Sequence, residues 1–545
     1  MTQRRSYYNS PTRDVLILCA IYCLWCAVLY SSIGYACGTF TYTLDDAYIH
    51  AAMAKNIATY GTWGVHPDSF AGASSSPLWT LLLGSSVWLI GYHTWLQVVM
   101  NMLFGLPAII LCYKILVRVS RVTATVGTML LLSCGSLSAL SVGGMEHTMH
   151  IALCLLMIWR MLFSTTDTTR VSFVFAGDMV IAALCVAARY ESIALCCVLA
   201  LLAGSRMRAV AIGLGVVSAL SFYGVFSMAQ GGWFIPNSIL VKAGADNPIM
   251  LFHTIRHNLS SVWYQAPELI GLCICAMLMV SIGVRQEEYC NRTRSLLFVS
   301  TIMAAVHCLF AKVGAGFRYE AYCITLLIIG ISSFPWMKHV QTLRMNIGVT
   351  FITALRIGVV AAGVISLAML VHRGLHIHHD TVIAATNIRN QQFVTASVLN
   401  DALSPDATCA INDIGVIASE TPHPFVDIVG LGDNDVLHLK RSGRSNSATL
   451  DSLLRARNVE VIAFYEYWWR STVRGGFIFP PAAGVQPIPE RWIYCGEIRL
   501  QGTNVICGAK GVQFYATDSA MVIRLKSAVM NYGGSLLNTS RSGDP

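Results

Sequence analysis

The sequence predicts a polytopic α-helical membrane protein of about eleven transmembrane helices, with interfacial helices in its first outer loop, followed by a small extracytoplasmic α/β domain. Three observations predict it. Of 545 residues, 55% are apolar and only 12% charged, where a soluble domain carries about 25% charge. Apolar runs recur through the first two thirds of the chain, and from His372 onward the chain turns polar and stays so to Pro545. A soluble globular protein and a disordered, collagenous or coiled-coil chain are all excluded, because each needs more charge or a strict repeat. The boundary falls at 372/373, giving a transmembrane domain over 1–372 and an outer domain over 373–545.

Spans are predicted near 14–37, 94–116, 121–141, 145–163, 174–188, 191–204, 209–229, 265–284, 295–312, 320–337 and 345–371. The first has no small-residue cleavage site behind it and reads as a retained helix. Orientation follows from the basic residues. Arg4, Arg5 and Arg13 place the N-terminus in the cytoplasm, and every second link then carries cytoplasmic charge. These are Lys114, Arg118 and Arg121, then Arg170, Arg206 and Arg208, then Arg285, Arg292 and Arg294, and last Lys338 with Arg344. The pattern holds only if Pro77–Gly91 does not cross, and its length suits an interfacial or re-entrant helix; a twelve-span arrangement would put Lys114, Arg118 and Arg121 outside. The chain is thus read as a multi-pass protein of the cytoplasmic (inner) membrane. Net charge is +9, but the basic residues are spread as topology signals, so nucleic acid is not a partner. Of the 18 cysteines, most sit in apolar runs as small hydrophobes. Only Cys409, Cys495 and Cys507 lie in the polar part, where a Cys495–Cys507 bridge is one option.

Five polar clusters fall on the outer face. The first outer loop carries Asp45 and Asp46, then Tyr48, Ile49, Met53, Asn56, Ile57 and Tyr60 at helical spacing, which reads as an amphipathic helix on the membrane surface. Two carboxylates at a span mouth serve as a general base, a cation site or an N-cap, and the sequence leaves these open. Glu146 begins a span in GGMEH, where a carboxylate also complements the helix dipole. Arg189 and Glu191 lie between short apolar runs, at a depth where charge needs a partner. Pro236-Asn237 makes a turn followed by Lys242, and glycines break the helix before Arg318 and Tyr319. Arg189, Lys242 and Arg318 beside two aspartates suit an anionic ligand near a carboxylate base, and a phosphate leaving group is the simplest such ligand. No P-loop, no dinucleotide fingerprint and no H-E-x-x-H competes; the histidine-rich HRGLHIHH at 372–379 reads as an interfacial linker.

These residues resemble the GT-C glycosyltransferases that use polyprenyl-phosphate sugars, particularly the branch containing the cell-wall arabinofuranosyltransferases. The resemblance runs through most of the chain: Asp45-Asp46-Ala47-Tyr48-Ile49, Gly72 to Trp79, Gly144-Met145-Glu146, Arg189-Tyr190-Glu191, Pro236-Asn237 with Lys242, and Arg318-Tyr319. In the outer domain Ile411–Ile417 (INDIGVI) and Val426–Leu431 (VDIVGL) are similar to that family's elements, each reading as an apolar strand broken by glycine. Leu453–Tyr465 reads as a helix end and a buried strand. Two departures stand out, Ala52 where members commonly place an arginine and Tyr190 in place of proline.

The resemblance implies a GT-C-like catalytic domain performing an inverting transfer from a polyprenyl-phosphate sugar to a glycan, lipid or protein acceptor. Asp45, with Asp46 second, would be the base. Arg318, Lys242 and Arg189 would hold the donor phosphate, and Tyr319, Glu146, Glu191, Asn237, Tyr48 and Lys55 would orient sugar or acceptor. It also allows a divalent cation at Asp45 and Asp46. The rival class is a transporter or flippase of lipid-linked sugar, for which paired intramembrane charges are natural; against it, the charges lie at one face and no inverted repeat is visible.

Overall fold

A computed structural model describes residues 2–163, 171–241, 248–283, 291–314, 316–334, 336, 351–470, 478–479 and 484–536. Lys242, and the topology-setting Arg170, Arg285, Lys338 and Arg344, lie outside the described residues. The chain divides into two compact units, one of residues 1–31, 95–222 and 245–380, the other of 32–94, 223–244 and 381–545.

The first unit is helical. Among the described residues six helices of the chain are long and apolar enough to cross a membrane: Pro11–Cys37, Leu96–Leu116, Val171–Ala188, Arg206–Ala229, Asn291–Phe310 and Thr353–Ala402. A seventh candidate is the pair Thr254–Gln265 and Pro267–Ser281, bent by 101° where Pro267 removes a backbone donor. The protein is therefore a multi-pass membrane protein. The remaining expected spans fall on shorter apolar helices, Arg121–Ser133, His147–Phe163, Ser192–Leu201 and Ala321–Ser332. At 1.5 Å per residue each falls short of the roughly 30 Å hydrocarbon core. The expected span over 121–141 is broken at Ser136, which adopts φ 69° between Arg121–Ser133 and Leu137–Val142. Leu111, Leu131, Leu155, Leu195, Met303 and Ile328 belong to one continuous apolar core.

The second unit is mixed. Its strands are β1 (Thr408–Ile411), β2 (Phe425–Asp427), β3 (Val459–Phe464), β4 (Ile493–Arg499) and β5 (Gly511–Ala516), in the order β2-β1-β3-β5-β4. β1 pairs in parallel with β2 and β3, aligning Cys409 with Phe425 and with Val461. β5 runs antiparallel to β3 and β4. Apart from Glu460, β3 is apolar because both faces of the sheet are covered, and its Ile462 and Phe464 pack with Trp469, Trp492 and Tyr515.

Three readings of this unit need correction. INDIGVI is not a strand broken by glycine: β1 ends at Ile411, and Gly415–Glu420 is helical. Val426–Leu431 likewise leaves β2 after Asp427 and turns. The Asp45–Tyr60 helix forms as expected, with Gly61 in the left-handed region as its C-cap, but it is not amphipathic. Ala47 through Ala54 are all buried, so it is a packed helix and not one lying on a surface. Pro77–Ile90 is a helix of 14 residues. Cys495 and Cys507 are both free thiols, so the bridge does not form.

Candidate active site

Within the helical unit, five of the expected residues converge. Arg189 sits between two carboxylates: its Nη1 donates to Glu146 Oε1 at 2.5 Å and its Nη2 to Glu191 Oε1 at 2.6 Å. Its guanidinium lies 5.6 Å from the centroid of the Tyr319 ring. Arg318 lies over the same ring at 4.7 Å and donates to the Tyr319 hydroxyl at 3.0 Å. Most of this charge is withdrawn from solvent, with Glu146 fully buried and Arg189 and Arg318 nearly so, while the Glu191 side chain stays 29% exposed. Glu146 flanks the His147–Ile158 helix but makes no side-chain cap bond there. Its carboxylate serves Arg189 instead of capping the helix.

A supporting layer escaped the sequence reading. Arg373 Nη1 donates to Glu268 Oε1 at 2.5 Å and Glu320 Oε1 at 3.1 Å, and its Nη2 to the Phe317 carbonyl at 3.0 Å. Glu320 Oε2 accepts from the Gly314 amide at 3.0 Å. Phe317 holds φ 61°, a strained value for a residue with a side chain. Arg373 and Glu320 thus tie down both ends of the turn that presents Arg318 and Tyr319. The signal was available, since a charged residue inside a span is held by a partner. His378, from the histidine-rich run, packs inside this unit against Ser138 and Trp25.

In the mixed unit, Asp45, Tyr48, Lys55 and Asn237 each meet the C-terminal segment. Asp45 and Asp46 open their helix without capping it, because its N-cap is Leu44 and no side chain bonds there. The Asp45 carboxylate instead accepts from the backbone amides of Gly415 at 2.6 Å and Val416 at 2.9 Å, at the start of the Gly415–Glu420 helix. At that helix's other end, Lys55 Nζ donates to the Ser419 carbonyl at 2.8 Å and pairs with Glu420 at 3.5 Å. Tyr48 is buried, accepts from the Tyr42 amide and packs edge-on against Phe393. Asn237 Nδ2 donates to the Leu431 carbonyl at 3.2 Å and Asn434 Oδ1 at 2.8 Å.

A third aspartate joins this group. Asp413, just past β1, accepts at 2.6 Å from the Tyr465 hydroxyl and at 2.8 Å from Gln392. Burial pushes its carboxyl up to about 6, with the negative charge of Asp46 adding to the effect. Burial also raises the Asp45 carboxyl well above the usual range, and the charge of Asp413 reinforces it, against the two backbone amides that favour the ionised form. Three acids therefore share one poorly hydrated region. Among the described residues no group of three or more metal-ligating side chains could hold a metal ion.

A family model described as "Domain of unknown function (DUF8728)" matches residues 386–515, the segment holding the sheet. No curated protein matches the chain. Among solved structures, the chain is similar to the apo oligosaccharyltransferase of Archaeoglobus fulgidus at 11% identity and TM-score 0.50. That match covers 94% of this chain and 78% of the other. It is also similar to ArnT from Cupriavidus metallidurans bound to undecaprenyl phosphate, at 10% identity and TM-score 0.48, covering 93% of this chain and 98% of the other. The first likeness shows the fold: the chain shares its overall fold with that oligosaccharyltransferase. That structure is not an arabinofuranosyltransferase, so the likeness speaks for the fold and not for the branch that the motifs resemble.

Proposed function

We propose that the protein is an inverting glycosyltransferase that moves a sugar from a polyprenyl-phosphate donor to a glycan, lipid or protein acceptor on the extracytoplasmic face of the membrane. The observation that carries the reading is the buried cluster of Arg189, Arg318, Tyr319, Glu146 and Glu191, built on a GT-C fold. Buried guanidinium groups aimed at a developing phosphate charge act without the cost of reorganising water. The acceptor hydroxyl oxygen attacks the anomeric carbon and its proton passes to a carboxylate of the Asp45–Asp46 pair. The bond from that carbon to the phosphate oxygen breaks, and its electron pair leaves with the polyprenyl phosphate. Arg318, with Arg189 and Lys242, stabilises that leaving charge, while Tyr319, Glu146, Glu191, Asn237, Tyr48 and Lys55 fix the geometry around it. Arg189 spends most of its hydrogen-bonding capacity on Glu146 and Glu191, so Arg318 carries the larger share in this reading.

The test is release of polyprenyl phosphate by the full chain in nanodiscs, offered a panel of polyprenyl-phosphate pentoses and hexoses. Wild type releases it from at least one donor. The Asp45→Asn/Asp46→Asn double variant does not, while still binding donor. Lipid movement across the bilayer with no sugar released from any donor would establish the transporter instead.

A further inference from the structure

Behind the charged cluster of the helical unit lies a layer of polar side chains that the mechanism above does not use. Each of the three turns that carry the cluster is followed, within one helical turn, by a member of that layer. Glu146 is followed by His150, whose amide donates to the Glu146 carbonyl at 3.0 Å. Glu191 is followed at once by Ser192, whose amide donates to the Arg189 carbonyl at 3.0 Å. Tyr319 is followed by Tyr322, in the helix Ala321–Ser332. These three members meet. His150 Nε2 and the Ser192 hydroxyl are hydrogen-bonded at 2.8 Å, and the His150 ring lies against the Tyr322 ring with centroids 4.8 Å apart. From a fourth helix, Asn291–Phe310, His307 Nδ1 is hydrogen-bonded to the Tyr322 hydroxyl at 3.2 Å. On the cluster's side of His150, His147 stands edge-on to the Tyr319 ring at 6.2 Å. His150, Ser192, Tyr322 and His307 are all buried.

A histidine among membrane helices is costly to bury and is kept for what it does. Arg189 and Arg318 reach the Tyr319 ring from separate turns, so their spacing depends on how those turns are held together. The His150 side chain touches an extension of each. Ser192 closes the first turn, and Tyr322 lies one helical turn beyond the second. A hydrogen bond between buried groups is strengthened by the low dielectric around it and so fixes a geometry as well as adding energy. We propose that His150 is a positioning residue of the transferase site, its ring tying the Arg189–Glu191 turn to the Arg318–Tyr319 turn so that both guanidinium groups face the leaving phosphate together. His150 touches no reacting atom in this assignment and acts through Ser192 and Tyr322. A displacement of about 1 Å at a catalytic group can cost about a hundredfold in rate, so a bond remote from the anomeric carbon still sets kcat. The assignment rests on the transferase reading for its effect on rate, whereas the tie itself does not.

Two measurements on the full chain in nanodiscs test it. Hydrogen–deuterium exchange follows the amides of residues 190–193 in wild type, His150→Phe, His150→Gln and Ser192→Ala. Phenylalanine keeps a ring against Tyr322 and loses the bond to Ser192, whereas the glutamine amide reaches the Nε2 position and keeps that bond. His150→Phe, although 42 positions from Ser192, should speed exchange at this turn by about fivefold or more, and His150→Gln should restore protection. Unchanged exchange in both His150→Phe and Ser192→Ala overturns the tie. Ser192→Ala keeps that outcome readable if His150→Phe fails to fold. The second measurement is polyprenyl-phosphate release from the accepted donor. His150→Phe and Ser192→Ala should each lose about ten- to a hundredfold in kcat with donor KM within about threefold of wild type, and His150→Gln should recover most of the loss. Because both changes remove one bond, His150→Phe/Ser192→Ala should lose no more than the larger single change. A double variant whose loss is the product of the two single losses, or an unchanged kcat per folded protein in both single variants, overturns the assignment. Absence of turnover by wild type on every donor would defeat the transferase reading and with it the effect on rate, while exchange still decides the tie.

Discussion

Replacing Arg373 by methionine should be among the most damaging single changes in the helical unit. The guanidinium is 2% exposed and faces Glu268 at 2.5 Å and Glu320 at 3.1 Å, themselves 8% and 0% exposed. Methionine fills much of the volume, so the loss is electrostatic. Two buried carboxylates are left with no cation between them, and the Phe317 carbonyl loses its donor. Removing one partner of a buried ion pair costs about 3–5 kcal/mol, most of it the penalty of the orphaned charge. The assay is thermal unfolding of the detergent-solubilised full chain by tryptophan fluorescence, read as an apparent Tm because a two-unit membrane protein has no single unfolding free energy. An apparent Tm lowered by at least about 5 °C is expected. The decisive comparison is Arg373→Met/Glu268→Gln/Glu320→Gln, which removes the orphaned charges as well and should recover more than half of the shift. Equal unfolding temperatures for the single and triple variants would refute the reasoning, since the damage would then have come from packing. The Gly316–Glu320 segment should loosen in the single variant, so donor binding should weaken alongside stability.

Three further outcomes follow from the same geometry. Arg189→Lys replaces a fork that reaches Glu146 and Glu191 at once with a single ammonium; apparent Tm should fall by a few degrees and polyprenyl-phosphate release by ten- to a hundredfold, and unchanged values for both would remove Arg189 from the site. Asp451 accepts from Arg491, Trp492 and Arg455, and although burial pushes its carboxyl up, those donors together hold it below the usual carboxylate range. Its stabilisation is therefore present above the unfolded pKa of about 4 and is lost as pH falls through the lower folded value; Asp451→Asn should cost about 1.5–3 kcal/mol at neutral pH and flatten the acid limb of a Trp fluorescence titration. Gly72→Ala places a Cβ 2.8 Å from the Tyr223 hydroxyl and 3.1 Å from the Asn237 amide; a cost of about 1–3 kcal/mol and faster hydrogen exchange across residues 237–240 are expected.

What the sequence made legible was local. Helices stand at nearly every expected span, because an apolar run long enough to enter a membrane must satisfy its backbone within itself. The strand over Val459–Phe464 and the end of the helix before it were readable from their apolar patterning. Partners were not readable. Asp45 and Gly415 lie 370 positions apart, and Arg373 is separated from Glu268 by 105. No periodicity or composition encodes such a pairing. Gly415 misled for a definite reason: flanked by Ile414 and Val416 it resembles a glycine within a strand, whereas the close approach of Asp45 is what demands it. The Asp45–Tyr60 helix misled through its spacing, since Ala47, Ala51, Ala52 and Ala54 are small enough to be buried on the face that polar residues were expected to occupy.

The motifs read one after another along the chain sort into two groups when their contacts are known, and the two are held by different forces. Glu146, Arg189, Glu191, Arg318 and Tyr319 meet inside the helical unit through buried charge, where each interaction is strong because water is excluded and where each group must be neutralised by a neighbour. Asp45, Lys55, Gly72 and Asn237 are held by backbone amides, backbone carbonyls and close steric approach to one another or to the C-terminal segment. Charge in a low-dielectric interior suits a group whose work is to receive an anion. Bonds to the main chain suit a group whose work is to stay in place, because they do not vary with the ionisation of a neighbour. In the proposed transferase the loop that carries Asp45 and Asp46 needs the second kind of support, and the Gly415–Glu420 helix supplies it to Asp45 and Lys55 from the far end of the sequence.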